Sequence, residues 1–91
     1  MILNWPDKDP QETLDYRLNW RARIVPGDKI NSSTWSSPNG ITKGINTYTD
    51  YTTTLWLSGG SVGSTYEFTN AVTTVGGRIM EQSVKITVVD K

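Results

Sequence analysis

Ninety-one residues, with nine Lys plus Arg balanced by nine Asp plus Glu and with neither cysteine nor histidine, bound one domain with an adequate but small core. The absent cysteines exclude disulfides, thiolate zinc and thiol nucleophiles and suit a reducing cytoplasm, while the absent histidines exclude the Ser-His-Asp arrangement and nearly every transition-metal site. A formal net charge of zero removes bulk attraction to nucleic acid or to an anionic membrane surface.

The chain opens with "MILNWPDKDPQ", in which a few apolar residues are broken by Pro6 and by charges. It reads neither as a signal peptide nor as a membrane span. It reads as an extended arm over residues 1–11, ahead of a domain over residues 12–91. Trp5, bounded by Pro6 and Pro10, is a large aromatic that is useful only when docked, on its own domain or on a neighbour. In "LDYRLNWRARI", Leu14, Tyr16, Leu18, Trp20, Ala22 and Ile24 take the even positions, which predicts one long half-buried strand. Arg17, Arg21 and Arg23 take odd positions and would form a basic stripe. A solvated edge face is the plain reading of that stripe, and a protein partner is its functional one.

"VPGD", Val25 to Asp28, is a turn signal. A short strand comes next, around Ile30 to Trp35; "SSPNG" breaks it, and "ITKGINTYT" is the next extended piece, with Ile41 and Ile45 expected inward. Thr52 to Leu57 is rich in β-branched and aromatic residues. "YEFTNAVTT" sets Tyr66, Phe68 and Val72 on one face. "VGGR" then leads into "MEQSVKITVV", closing a C-terminal hairpin with Met80, Val84, Ile86 and Val88 inward. No segment carries a helical stripe. About seven short strands with regular turn signals predict an all-β fold, a single immunoglobulin-like or fibronectin-like β-sandwich of antiparallel strands. "GSTY", Gly63 to Tyr66, matches a tyrosine corner, whose hydroxyl bonds backbone at a sheet crossing.

"LWLSGGSVGSTYEFTN" carries enough glycine to suggest a phosphate loop. Yet Gly59 and Gly63 are four apart, Ser64 stands where a lysine is required, and the residues after it alternate as a strand instead of opening a helix. The stretch reads as a crossover between sheets. Asp7, Asp9, Glu12 and Asp15 cluster, but without a calcium-loop pattern, and read as solvated or salt-bridged carboxylates. No catalytic, metal or cofactor-binding residue is assigned, and no cofactor. Trp20, Trp35, Trp56 and Tyr66 are expected to pack in the core, which leaves Trp5, Tyr48 and Tyr51. A carbohydrate-binding reading would use Tyr48, Tyr51 or Trp56 to stack sugar rings.

"WPDKDPQETLDYRLNW", "GDKINSSTW", "TTTLWLSGGSVGSTYEFTNAVTT" and "GGR", in that order, resemble a family of small proteins encoded by tailed bacteriophages and prophages, over nearly the whole chain. "NWRARIVPGD" is more basic than in relatives. The resemblance implies a non-enzymatic virion structural protein, of the fibre-tail adaptor kind. Its expected partners are other tail or fibre proteins and copies of itself in a symmetric oligomer, with no nucleic acid and no membrane. It would be made in the bacterial cytoplasm and end in the virion. The expected contacts are Trp5 and Pro6 in the arm, the Arg17, Arg21 and Arg23 face, and Tyr48 with Tyr51. An unpackaged phage accessory factor is the remaining alternative.

Overall fold

A computed structural model describes residues 2–91. Seven strands are arranged as β1 (Leu3–Asn4), β2 (Leu14–Asn19), β3 (Ile30–Ser36), β4 (Ile41–Tyr48), β5 (Thr52–Gly59), β6 (Thr65–Thr74) and β7 (Ile79–Thr87). They form two sheets, β1-β7-β6-β3 and β2-β5-β4. The alternation read from the sequence builds the layer between them. On β6, Tyr66, Phe68, Asn70, Val72 and Thr74 are buried while the odd residues are not. From the facing sheet Leu55, Leu57, Tyr16 and Leu18 meet them, and β7 adds Val84 and Ile86. This is the two-layer packing of a β-sandwich, in which each sheet buries one face.

One pairing departs from the antiparallel expectation. β1 runs parallel to β7, Leu3 opposite Val84 and Asn4 opposite Lys85. The other pairings are antiparallel.

The long first strand also ends early. The Asn19 side-chain oxygen accepts from the Arg21 amide at 2.9 Å, a local bond that competes with the sheet ladder. Trp20 adopts a helical conformation and residues Arg21–Arg23 form a 3-10 turn. Even-position alternation survives there by coincidence. Trp20 and Ile24 are both buried, and a spacing of four serves a helical turn as well as a strand.

Ile45 and Trp56 both point outward, against expectation, for related reasons. Lys43 pairs with Leu57 and Asn46 with Leu55, so Gly44 and Ile45 together oppose Trp56. This bulge inserts one residue and reverses the facing of everything after it. Ile45 is consequently 72% exposed. A Cβ at Gly44 would stand 3.4 Å from the Trp56 Cβ and carbonyl oxygen, so glycine lets the bulge close over that residue. Trp56 lies between Leu55 and Leu57, which are fully buried, and alternation therefore sends its indole to the outer face.

The glycine-rich stretch is the crossover from β5 to β6, from one sheet to the other. The Tyr66 hydroxyl accepts from the Ser61 amide at 2.9 Å, which is the tyrosine-corner bond. Gly60, at φ +95°, passes so close to β7 that a Cβ would meet Val88 Cγ2 at 2.7 Å.

Candidate functional site

The N-terminal segment is extended, and it lies along its own domain. The amides of Trp5 and Lys8 donate to the carbonyls of Lys85 and Thr87, and the Val89 amide donates to Lys8. Trp5 is half-buried with its ring 5.0 Å from Tyr16, 5.7 Å from Trp35 and 6.0 Å from Phe68. Its indole N–H donates to the Arg17 carbonyl at 3.0 Å. The tryptophan thus closes the seam between β2 of one sheet and β7 of the other. Residue 11 marks a tight turn rather than an outer limit of the folded unit: the Glu12 amide donates to the Asp9 carbonyl and the Glu12 carboxylate accepts from the Asp9 amide. Pro6, beside Trp5, is exposed.

Lys8, which sequence reasoning passed over, is completely buried. Its ammonium donates to the carbonyls of Gly59 at 2.7 Å and Asp9 at 2.9 Å. Burial pushes its pKa below the usual lysine value, opposed by the nearby Glu12 and Asp9 carboxylates. A buried ammonium satisfied by backbone carbonyls ties segments together rather than meeting a ligand. The only legible hint is its alternation with Pro6 in an otherwise polar stretch.

The arginines do not form one stripe. Arg17 is on β2 and faces Asp15 at 3.5 Å. Arg21 and Arg23 leave the strand with the 3-10 turn. The Arg21 guanidinium lies 4.2 Å over the Tyr51 ring and that of Arg23 4.8 Å over the Trp20 ring. Arg23 also donates to the Glu81 carbonyl at 3.0 Å and to Gln82 Oε1 at 3.1 Å. A surface cavity of about 490 Å³ adjoins it, lined by Arg23, Thr69, Glu81, Gln82 and Ser83. All three arginines are exposed, so each presents its charge at the surface, in separate settings.

Tyr48 and Tyr51 are likewise separated. The Tyr48 hydroxyl donates to the Asn31 carbonyl at 2.7 Å, whereas one face of Tyr51 is covered by Arg21. Lys43, also on β4, donates to the Trp35 carbonyl at 2.8 Å. Two β4 side chains therefore occupy carbonyls on the free side of β3. Trp56 stands 40% exposed on the outer face of its sheet, flanked through the register by Asp15 and the Gly44–Ile45 bulge.

Among the N-terminal acids, Asp9 accepts from the amides of Lys91 and Gln11, and Glu12 is paired with the Lys91 ammonium at 3.1 Å. Hydrogen bonds from these backbone amides hold the Asp9 carboxyl below its usual range, and the Asp9 amide does the same for Glu12. Among the described residues no group of three or more acidic side chains is placed to hold a metal ion. No described helix is long and apolar enough to cross a membrane.

Residues 8–87 match the family model described as "Podophage GP4 fiber-tail adaptor protein gp77". No curated protein matches the chain. Among solved structures, the chain is similar to one described as "Solution structure of the PKD domain from KIAA 1837 protein". The two share 23% identity over 96% of this chain and 83% of the other, with a TM-score of 0.59. At that identity the likeness concerns the fold, an immunoglobulin-like sandwich.

Proposed function

The chain belongs to the podophage fibre-tail adaptor family, and from that premise we propose that it is a non-enzymatic structural part of the phage particle that joins tail and fibre components through protein–protein contact. The observation that carries this reading is the extent of the family match, residues 8–87, which takes in the whole sandwich from the buried Lys8 to the end of β7. Composition supports it. A chain without histidine or cysteine lacks the usual acid-base and nucleophilic groups, and a rigid sandwich with extended edges suits assembly. The partners are other tail or fibre proteins, joined in the bacterial cytoplasm before the particle is complete, with copies of this chain set in a symmetric ring. Exposed Pro6, Arg17, Arg21, Arg23 and Tyr48 supply the contacts. Trp5 and Tyr51 act behind them by fixing the N-terminal segment and Arg21.

Quantitative mass spectrometry of purified particles tests the reading, with the chain counted against the major capsid protein. A fixed copy number per particle is expected. Absence from clean particles, with abundant chain in the lysate, overturns it in favour of an unpackaged accessory factor.

The exposed Trp56 ring supports a second reading, carbohydrate binding on the outer face of β2-β5-β4, since a flat aromatic beside polar groups stacks sugar rings. A glycan-array screen of the native chain and of Trp56→Ala separates it from pure assembly. Binding lost on substitution favours it, and an empty array disposes of it.

A further inference from the structure

Resting on the adaptor reading, we infer that the edge of β7 over Ile79–Ser83 receives an extended segment of a neighbouring tail or fibre chain as an added strand, with a carboxylate of that segment held by Arg23. The carbonyls of Glu81, Lys85 and Thr87 all point away from β6, because they accept from Arg23, from the Trp5 amide and from the Lys8 amide respectively. Alternation then turns the N–H and C=O of Ile79 and Glu81 toward the same open side. The domain's own β1 already occupies this edge further along, but its register begins at Val84. Strand addition has thus been used once on β7 and stops short of its first half.

The other edges are blunted. On β3 the Asn31 and Trp35 carbonyls are taken by Tyr48 and Lys43. On β2 the Arg17 carbonyl is taken by the Trp5 indole. β4 carries a lysine and the Gly44–Ile45 bulge, two features that discourage pairing. β7 before Val84 has neither a bulge nor a proline. Its one cover is Arg23, a long exposed side chain that an incoming amide can replace at the Glu81 carbonyl. The displaced guanidinium stays in the cavity lined by Gln82 and Ser83, where a carboxylate on the added strand would be held bidentately. The Glu81 side chain lies on the outer face, across the sheet from the inward Gln82, and does not compete for that position. Ile79, 75% exposed, offers the added strand an apolar contact.

Hydrogen exchange read by mass spectrometry on purified particles, against the isolated chain, tests the inference, together with Glu81→Pro in particles supplied with that variant. Proline at 81 removes an outward amide and leaves the carbonyl and the β6 ladder intact. The expected result is at least a tenfold slowing of exchange over 79–83 in particles, with 41–48 unchanged, and at least a tenfold loss of incorporation for Glu81→Pro at a melting temperature near that of the native chain. Native chain present in particles with 79–83 exchanging as freely as in isolation overturns the inference and leaves the adaptor reading standing. Native chain missing from particles overturns both. Protection of 79–83 that arises in the concentrated isolated chain assigns the edge to a second copy and overturns the proposed occupant. Should Glu81→Pro unfold, the exchange comparison on the native chain decides alone.

Discussion

The indole N–H of Trp20 donates to the side-chain oxygen of Asn70 at 3.1 Å, in a core where both residues are almost wholly buried. The same indole reaches Thr53 Oγ1 at 3.1 Å, and Asn70 in turn donates to Ser33 Oγ and the Thr34 carbonyl. This network joins the 3-10 turn and β5 to β6 and β3, across both sheets. Asn70→Leu is expected to cost about 2–3 kcal/mol, because it strands buried partners rather than merely deleting a bond. Urea unfolding measures it, and a loss under about 0.5 kcal/mol, the low end for a single hydrogen bond, would mean the network contributes nothing.

Trp5 offers a second test. Trp5→Ala removes a half-buried ring stacked on Tyr16 and near Trp35 and should cost about 2–4 kcal/mol. Trp5→Phe keeps an aromatic body and loses the bond to the Arg17 carbonyl, for about 1 kcal/mol. Deleting residues 1–10 removes Trp5 and Lys8 together and should destabilise more than either substitution. A deletion that melts with the native chain would make this segment a separable arm.

Lys8→Met keeps the aliphatic stem but leaves the Gly59 and Asp9 carbonyls without their donor. A loss of about 1–3 kcal/mol is expected from two buried acceptors. Slowed folding is no part of the expectation. The measurement is the equilibrium denaturation midpoint at constant m-value.

Asp28 links stability to acid. Hydrogen bonds from the Thr74 hydroxyl, from the Gly76 and Lys29 amides and from Arg78 lower its pKa from 3.8 to about 2. The unfolded chain therefore takes up this proton first. The stability Asp28 contributes is whole above its ordinary value and is lost as the pH falls from 3.8 through about 2. Asp28→Asn should lower the melting temperature at neutral pH and flatten the acid limb in that window. An unchanged acid limb in the variant would assign the transition to other carboxylates.

The crossover carries the last prediction. Gly60→Ala sets a Cβ 2.7 Å from Val88 Cγ2 at positive φ and should cost about 1–3 kcal/mol from backbone strain alone. Tyr66→Phe takes the acceptor from the Ser61 amide and should cost about 1 kcal/mol. Thermal melts of the two variants check both values.

Much of this architecture is legible in the sequence because period two reports burial directly. Tyr66, Phe68, Val72, Val84 and Ile86 sit at alternating apolar positions and are buried, and a glycine three residues before Tyr66 marks the tyrosine corner. The errors share a cause. Alternation predicts facing only while register is kept, and the bulge at Gly44–Ile45 and the Asx bond at Asn19 each break it with a single residue. Asn70 and Thr53 sit at inward positions, but each meets the Trp20 indole across a separation of 50 and 33 residues along the chain.

By itself the sequence determined an all-β chain without disulfides, imidazole or a phosphate loop, with strands of half-buried character and a glycine crossover, because composition and local periodicity act within a few residues of each position. Tertiary structure alone decided that Trp5 closes the seam between sheets, that Lys8 is buried, that the three arginines part company, and that β1 stops short on β7. Those outcomes depend on which strands become neighbours, and neighbours such as Trp5 and Lys85 are chosen by packing across the whole domain, where local preference carries no information.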